Sequence, residues 1–183
     1  MSTRSQPAKS GAKRLAPQPA PKPAPQRTSG KSMVLGLKQA AKTGQFISWY
    51  TMDFADRIHL IRSGLPAHRV GELSSIMNMP KEALMDALGL SRATINRKVQ
   101  REQTLSPQES ERVMGMQALI GQVQAMITTE NSADFDAAKW LAAWLAAPLP
   151  ALGGATPASF MDTVEGQKYV SNLLEMTQGG AYA

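Results

Sequence analysis

Between Leu88 and Arg101 the chain reads LGLSRATINRKVQR: a glycine-centred turn, a serine, then four cations and an asparagine within ten residues. Arg and Asn side chains match the edges of guanine and adenine in the major groove, and Arg and Lys attract phosphate. A helix-turn-helix needs two helices fixed at a steep angle by a short turn, often with a glycine at positive φ. Lys81 to Leu88 supplies the first helix, Gly89 the turn, Leu90 a buried anchor and Ser91 an N-cap for the second. Ile95 and Val99 face the first helix. On a helical projection Ala93, Arg97, Gln100 and Arg101 fall on the far side, Asn96 lies on its flank, and Arg92 stands at the tip. Thr94, Lys98 and Arg101 suit phosphates, while Arg97 and Asn96 suit bases. Ser91, Arg92, Thr94, Asn96, Arg97, Lys98 and Arg101 are therefore the candidate DNA-binding residues, set against an ordinary hairpin with a solvated basic face. Met85 departs from the pattern, because the first helix usually places a small residue there.

Other chemistries find little support. The 183-residue chain has no cysteine, hence no disulfide, thiolate nucleophile or Cys-type metal site. Its two histidines, His59 and His68, stand nine residues apart and match no familiar ligand pair. Gly153-Gly154 follows a proline-rich turn rather than a strand, so it does not mark a phosphate cradle. No enzyme, metal or cofactor is expected. No apolar run is long enough to span a membrane and no secretory leader pattern is present, so a cytoplasmic location is expected.

Charge divides the chain. Residues 1–52 hold nine Lys/Arg and no acid, residues 53–101 eight and five, and residues 102–183 three and nine. A basic front and an acidic back point to a polyanion at one end and a different partner at the other. Residues 1–32 contain six of the twelve prolines and little to bury, and are expected to form a disordered basic arm.

From Met33 onward the pattern is all-α. Phe54, Ile58 and Ile61 recur at spacings of four and three and form one face of a helix. Gly64 should end that helix, and Pro66 suits the first turn of the next, which carries Val70, Leu73 and Ile76 or Met77. Pro80 opens a third, with Leu84 and Leu88. Ser106-Pro107-Gln108-Glu109 has the form of a capping box with proline at the first helical position. The long helix it opens suits a dimer seam or a core element equally. Residues 137–147 form another helix, with Trp140 and Trp144 expected in the core. Asp162 or Thr163 caps the last, which holds Tyr169, Val170, Leu173 and Leu174. The organisation read from this is residues 1–32 an arm, 33–103 a helix-turn-helix domain, 104–130 a dimerisation helix, and 131–183 a second helical domain.

The second domain carries a resemblance. Trp144-Leu145 followed by Pro148, Ala151-Leu152-Gly153-Gly154, Pro157, Asp162-Thr163, Gly166, Val170 with Leu173-Leu174, and Gly180 with Tyr182-Ala183 closely resemble the toxin-binding region of Xre/MbcA/ParS-type antitoxins, partners of RES-domain toxins. LSPQESER (Leu105 to Arg112) and the helix-turn-helix before it are similar to this family too, so the resemblance covers roughly residues 54–183. It implies a protein that represses its own operon by binding operator DNA as a homodimer. It also implies a C-terminal part that blocks the active site of a toxin that consumes NAD or uses it for ADP-ribosylation. Gly179, Gly180, Ala181, Tyr182 and Ala183 would then enter the toxin, with Tyr182 offering a flat apolar ring and one hydrogen-bonding end. A stand-alone transcriptional regulator, whose C-terminal part only dimerises, is the competing reading.

Overall fold

Capping chemistry divides the chain into helices, and one of them organises the rest. The computed structural model describes residues 46–127 and 135–178. The basic arm, and Gly179 to Ala183, lie outside the described residues. Helical residues 46–50 lead to α1 (Phe54–Ser63), whose N-cap Asp53 accepts from the Ala55 amide at 3.0 Å. Gly64 ends α1 at φ +81°, where a Cβ would stand 2.6 Å from the Leu105 carbonyl oxygen. Next come α2 (Arg69–Met77), α3 (Lys81–Ala87) and α4 (Arg92–Gln100). Pro80 occupies the N-cap of α3. Pro66 lies ahead of α2 rather than in its first turn, paired in an isolated bridge with Thr104.

α5 (Pro107–Met126) starts with the expected box: Ser106 Oγ accepts from the Glu109 amide at 3.3 Å, and the Glu109 carboxylate from the Ser106 amide at 2.7 Å. Half of its twenty residues are buried, among them Val113, Met116, Ile120 and Val123, so it is hydrophobic on several faces rather than along one stripe. Each such apolar side chain contributes about 1.5–3 kcal/mol by leaving water. α1, α6 (Ala137–Ala146) and α7 (Val164–Gln178) pack around it. Of the two roles open to this helix, the core role accounts for its apolar residues within one chain.

The hydrophobic core runs from Phe46 to Leu174 and draws buried residues from every α-helix but α1, whose Leu60 and Ile61 pack against it partly buried. α2 packs on α3 and also on α6, while the 3-10 turn Pro157–Phe160 touches α3, α6 and α7. Segments on either side of α5 are thus interleaved. Met85 is fully buried, so the large residue fills the gap between α3 and its neighbours. Thr163, not Asp162, caps α7, with Oγ1 accepting from the Gly166 amide at 3.1 Å.

One expectation needs correction, and one face stays open. Phe54, Ile58 and Ile61 do share a face of a helix, but α1 has no buried residue and Phe54 is 80% exposed. Helical spacing says which residues share a face, but not whether the molecule covers it. Trp140 is not core: the buried positions of α6 are Ala137, Ala138, Leu141 and Leu145. Trp144 is partly buried and packs against the core, and the two tryptophan rings stack with centroids 6.2 Å apart.

Close approach at Gly166 yields a stability test. A Cβ there would meet the Phe160 carbonyl oxygen at 1.8 Å, backbone that cannot swing aside. Gly166→Ala is expected to cost about 1–3 kcal/mol, measured by urea denaturation; an unchanged midpoint would contradict the packing.

Candidate functional site

The helix-turn-helix geometry is built by α3, the turn and α4. Gly89 adopts φ +60°, and the Leu90 amide closes the turn on the Met85 carbonyl at 2.8 Å. Leu90 and Ile95 are buried beneath it. Ser91 caps α4, accepting from the Thr94 amide at 3.4 Å. From α5, Arg112 Nη1 donates to the carbonyls of Leu88 (3.2 Å) and Gly89 (2.9 Å), so the turn is held by a guanidinium from the central helix. Sequence reasoning missed this residue; a lone arginine inside a helix carries no distinguishing pattern.

The candidate DNA-binding residues separate into two groups. Arg92 is engaged by the Asp86 carboxylate through both Nε (3.1 Å) and Nη2. That hydrogen bond, and then the Asp86 charge, raise its already high pKa. Lys98 bonds to Glu109, the capping-box carboxylate, with both side chains less than one-fifth exposed. Burial pushes the Glu109 carboxyl up, but hydrogen bonds from Lys98 and the Ser106 amide outweigh it and hold the pKa below the usual carboxylate range. These two cations fix α4 to α3 and to α5. Asn96, Arg97 and Arg101 are exposed, with Asn96 Oδ1 accepting from Lys81 Nζ at 2.9 Å; Thr94 is half-buried. The open edge of α4 is therefore Asn96, Arg97 and Arg101, with Lys81 beside it.

The C-terminal face has a different chemistry. Trp140 and Trp144 stack near-parallel, and Phe135 lies against Trp140 at 6.1 Å between centroids. Two small hollows flank the stack. One, about 220 Å³, is lined by Met126, Phe135, Trp140 and Leu174; the other, about 280 Å³, by Trp144, Pro150 and Leu173. Thr177, on the last turn of α7, lines both, two residues before Gly179 in the sequence. This face is tied to α5 by buried polar contacts. Gln122 Nε2 donates to the Ser171 carbonyl (3.1 Å) and Ser171 Oγ to Gln122 Oε1 (2.8 Å). Gln167 Nε2 donates to the carbonyls of Met161 (2.9 Å) and Arg112 (3.1 Å).

Both faces coincide with known protein families. Residues 133–180 match the antitoxin Xre/MbcA/ParS C-terminal toxin-binding domain, and residues 56–115 the antitoxin Xre-like helix-turn-helix domain. A curated relative, the Prs ADP-ribosylating antitoxin of Sphingobium sp. (strain YBL2), is 41% identical over 135 residues, covering 73% of this chain and 85% of that protein. The chain belongs to the Xre/MbcA/ParS-type antitoxin family. The resemblance seen in the sequence is thereby established, together with its all-α order of helix-turn-helix before toxin-binding domain. In this antitoxin the helix-turn-helix match ends within α5, at residue 115, and the toxin-binding match begins beyond that helix, at residue 133. Among the described residues no helix is long and apolar enough to cross a membrane, and no cluster of metal-ligating side chains occurs.

The Lys98–Glu109 pair makes stability depend on pH in a stated direction. Because the folded-state pKa of Glu109 is lowered, its contribution is present above the unfolded carboxylate value of about 4.3 and lost as pH falls through the folded value. At pH 7, Glu109→Gln is expected to destabilise by roughly 1–2 kcal/mol. The gap between variant and wild type should narrow as the solution is acidified below pH 4 or so. A gap that stays constant from neutral to acid, followed by chemical denaturation, would refute the role given to the carboxylate.

Proposed function

We propose that this antitoxin neutralises a RES-type toxin by placing Gly179 to Ala183 in its active site, and represses its own operon by laying α4 in the major groove of operator DNA as a homodimer. The observation that carries the DNA half is the sorting of cations on α4: Lys98 pairs with Glu109 largely out of solvent and Arg92 pairs with Asp86 at the surface, while Arg97 and Arg101 stay exposed on the edge that also presents Asn96. Arg97 then pairs with a guanine and Asn96 with an adenine, while Arg101 and Lys81 meet phosphates. Ser91 and Thr94 contribute through the N-terminal turn of the helix, whose backbone amides favour phosphate.

The toxin half is supported by the toxin-binding match over residues 133–180 and by the surface there. The tryptophan stack between two apolar hollows is a surface that a partner's side chains can fill, and tryptophan is enriched among residues that dominate interface energetics. Thr177, in the last turn of α7, lines both hollows and precedes Gly179 by two residues in the sequence. Acidic residues outnumber basic ones nine to three over residues 102–183, which suits a basic partner surface. ADP-ribosylation in the name of the Sphingobium relative favours an NAD-dependent toxin that modifies a target. The antitoxin itself would then need no cofactor and work in the cytoplasm, where operator and toxin meet.

Two variants separate the activities. Arg97→Ala is expected to weaken operator binding by about 1–3 kcal/mol and flatten discrimination at one base position, with toxin protection intact. Removing Gly179 to Ala183 is expected to do the reverse, leaving operator affinity unchanged while cells co-expressing the toxin stop growing. Truncated protein that protects as well as the full chain would end the active-site account.

A further inference from the structure

A buried side chain of the toxin-binding domain reaches the residue that holds the DNA-reading turn. Gln167, on α7, is 7% exposed, and its Nε2 donates to the carbonyls of Met161, just ahead of α7, at 2.9 Å and of Arg112, on α5, at 3.1 Å. Gly115, one turn beyond Arg112, leaves room for that amide, since a Cβ there would stand 1.7 Å from Gln167 Oε1. Arg112 in turn donates through Nη1 to the carbonyls of Leu88 and Gly89. Asp162, from the same domain as Gln167, stands against the turn as well. A Cβ on Gly89 would lie 3.1 Å from both Arg112 Nη1 and Asp162 Cβ.

We propose that Gln167 is a positioning residue for DNA reading, acting through Arg112, so that the domain matched to toxin binding is also part of the DNA reader. This rests on the operator binding proposed above and adds to it a residue outside the helix-turn-helix match. What must be fixed is the tilt of α4, because Arg97 and Asn96 pair with base edges only within hydrogen-bond reach. The Asp86–Arg92 pair cannot set that tilt against the rest of the molecule: both residues belong to the hairpin of α3 and α4 and move with it. Apolar packing of Leu90 and Ile95 holds the hairpin down but is non-directional. Lys98–Glu109 ties the C-terminal half of α4 to α5, and one such tie leaves a pivot. Arg112 supplies the second tie, at the turn. Its side chain is long, so the aim of the guanidinium depends on where its backbone stands, and Gln167 holds that backbone to α7. A buried network with its donors used specifies one arrangement. The toxin and the operator keep separate faces; the support behind the turn is what the two domains share.

The test uses full-length variants, a duplex from the promoter of the chain's own operon, an unrelated duplex of equal length, and toxin co-expression. Gln167→Met and Arg112→Met keep side-chain length and remove the donors. Arg112→Met is expected to weaken operator binding roughly tenfold and Gln167→Met about fivefold, the scale of a charge-assisted and a neutral hydrogen bond. Binding to the unrelated duplex and protection from toxin should stay as in wild type. Because Gln167 acts through Arg112, the double variant is expected to match Arg112→Met alone. Arg112→Lys, whose cation still reaches the two carbonyls, should recover most of the affinity. A Gln167→Met protein that reads the operator as wild type does, or a double variant in which the two losses multiply, overturns the proposal while DNA reading stands. Equal losses in operator binding, unrelated-duplex binding and protection would mark general damage to the fold and overturn it too. If wild type does not prefer the operator over the unrelated duplex, DNA reading itself fails and this inference falls with it.

Discussion

Arg112 joins two things that the family treats as separate modules. Its guanidinium takes the two carbonyls of the helix-turn-helix turn, and its own carbonyl receives the Gln167 amide from α7. Because Arg112 sits on α5, whose apolar residues fill the core, neither contact can shift without disturbing the packing around it. The turn needs such support. With Gly89 at φ +60°, the carbonyls of Leu88 and Gly89 both point to the Arg112 guanidinium, which donates to each of them. Everything proposed for α4 assumes that its angle to α3 is fixed, and this contact fixes it.

The same economy of charges explains how one basic helix can hold its place and still read a ligand. A helix with four free cations would bind phosphate broadly and tell sequences apart poorly. Here the Asp86–Arg92 and Glu109–Lys98 pairs anchor α4 at both ends, so the remaining polar side chains present a defined edge rather than a diffuse positive field. The C-terminal face follows a different logic. Its stacked tryptophans and shallow hollows supply apolar area near the end of α7, while Gln122, Ser171 and Gln167 tie that helix to α5.

What the sequence disclosed follows from local chemistry. The Ser106 to Glu109 box, the Ser91 cap, the glycine turn at Gly89 and the core positions Val113, Met116, Ile120 and Val123 were legible because caps and periodicity act over a few residues. Long-range facts were not. Asn78 and Glu102 end α2 and α4 in the left-handed region at φ 51°, yet neither is a glycine that would announce it. That Lys98 answers Glu109 and Arg112 answers the turn depends on how α5 lies across α4, which no local pattern records. Trp140 looked like core because apolar residues at helical spacing share a face, as Phe54 and Ile58 do on α1; whether such a face meets the rest of the molecule is settled only by the neighbours. The family resemblance reached further, because its short motifs keep their order along the chain even where each is weak alone.

The central claim is that one core carries two independent working faces. Hydrogen–deuterium exchange on the full-length antitoxin, alone, with operator DNA and with its toxin, tests it most directly. Operator is expected to slow exchange at residues 91–101, and toxin at 135–147 and from 173 to the C-terminus, with little overlap. Protection of the same peptides by both ligands, or of neither region by either, would contradict the account.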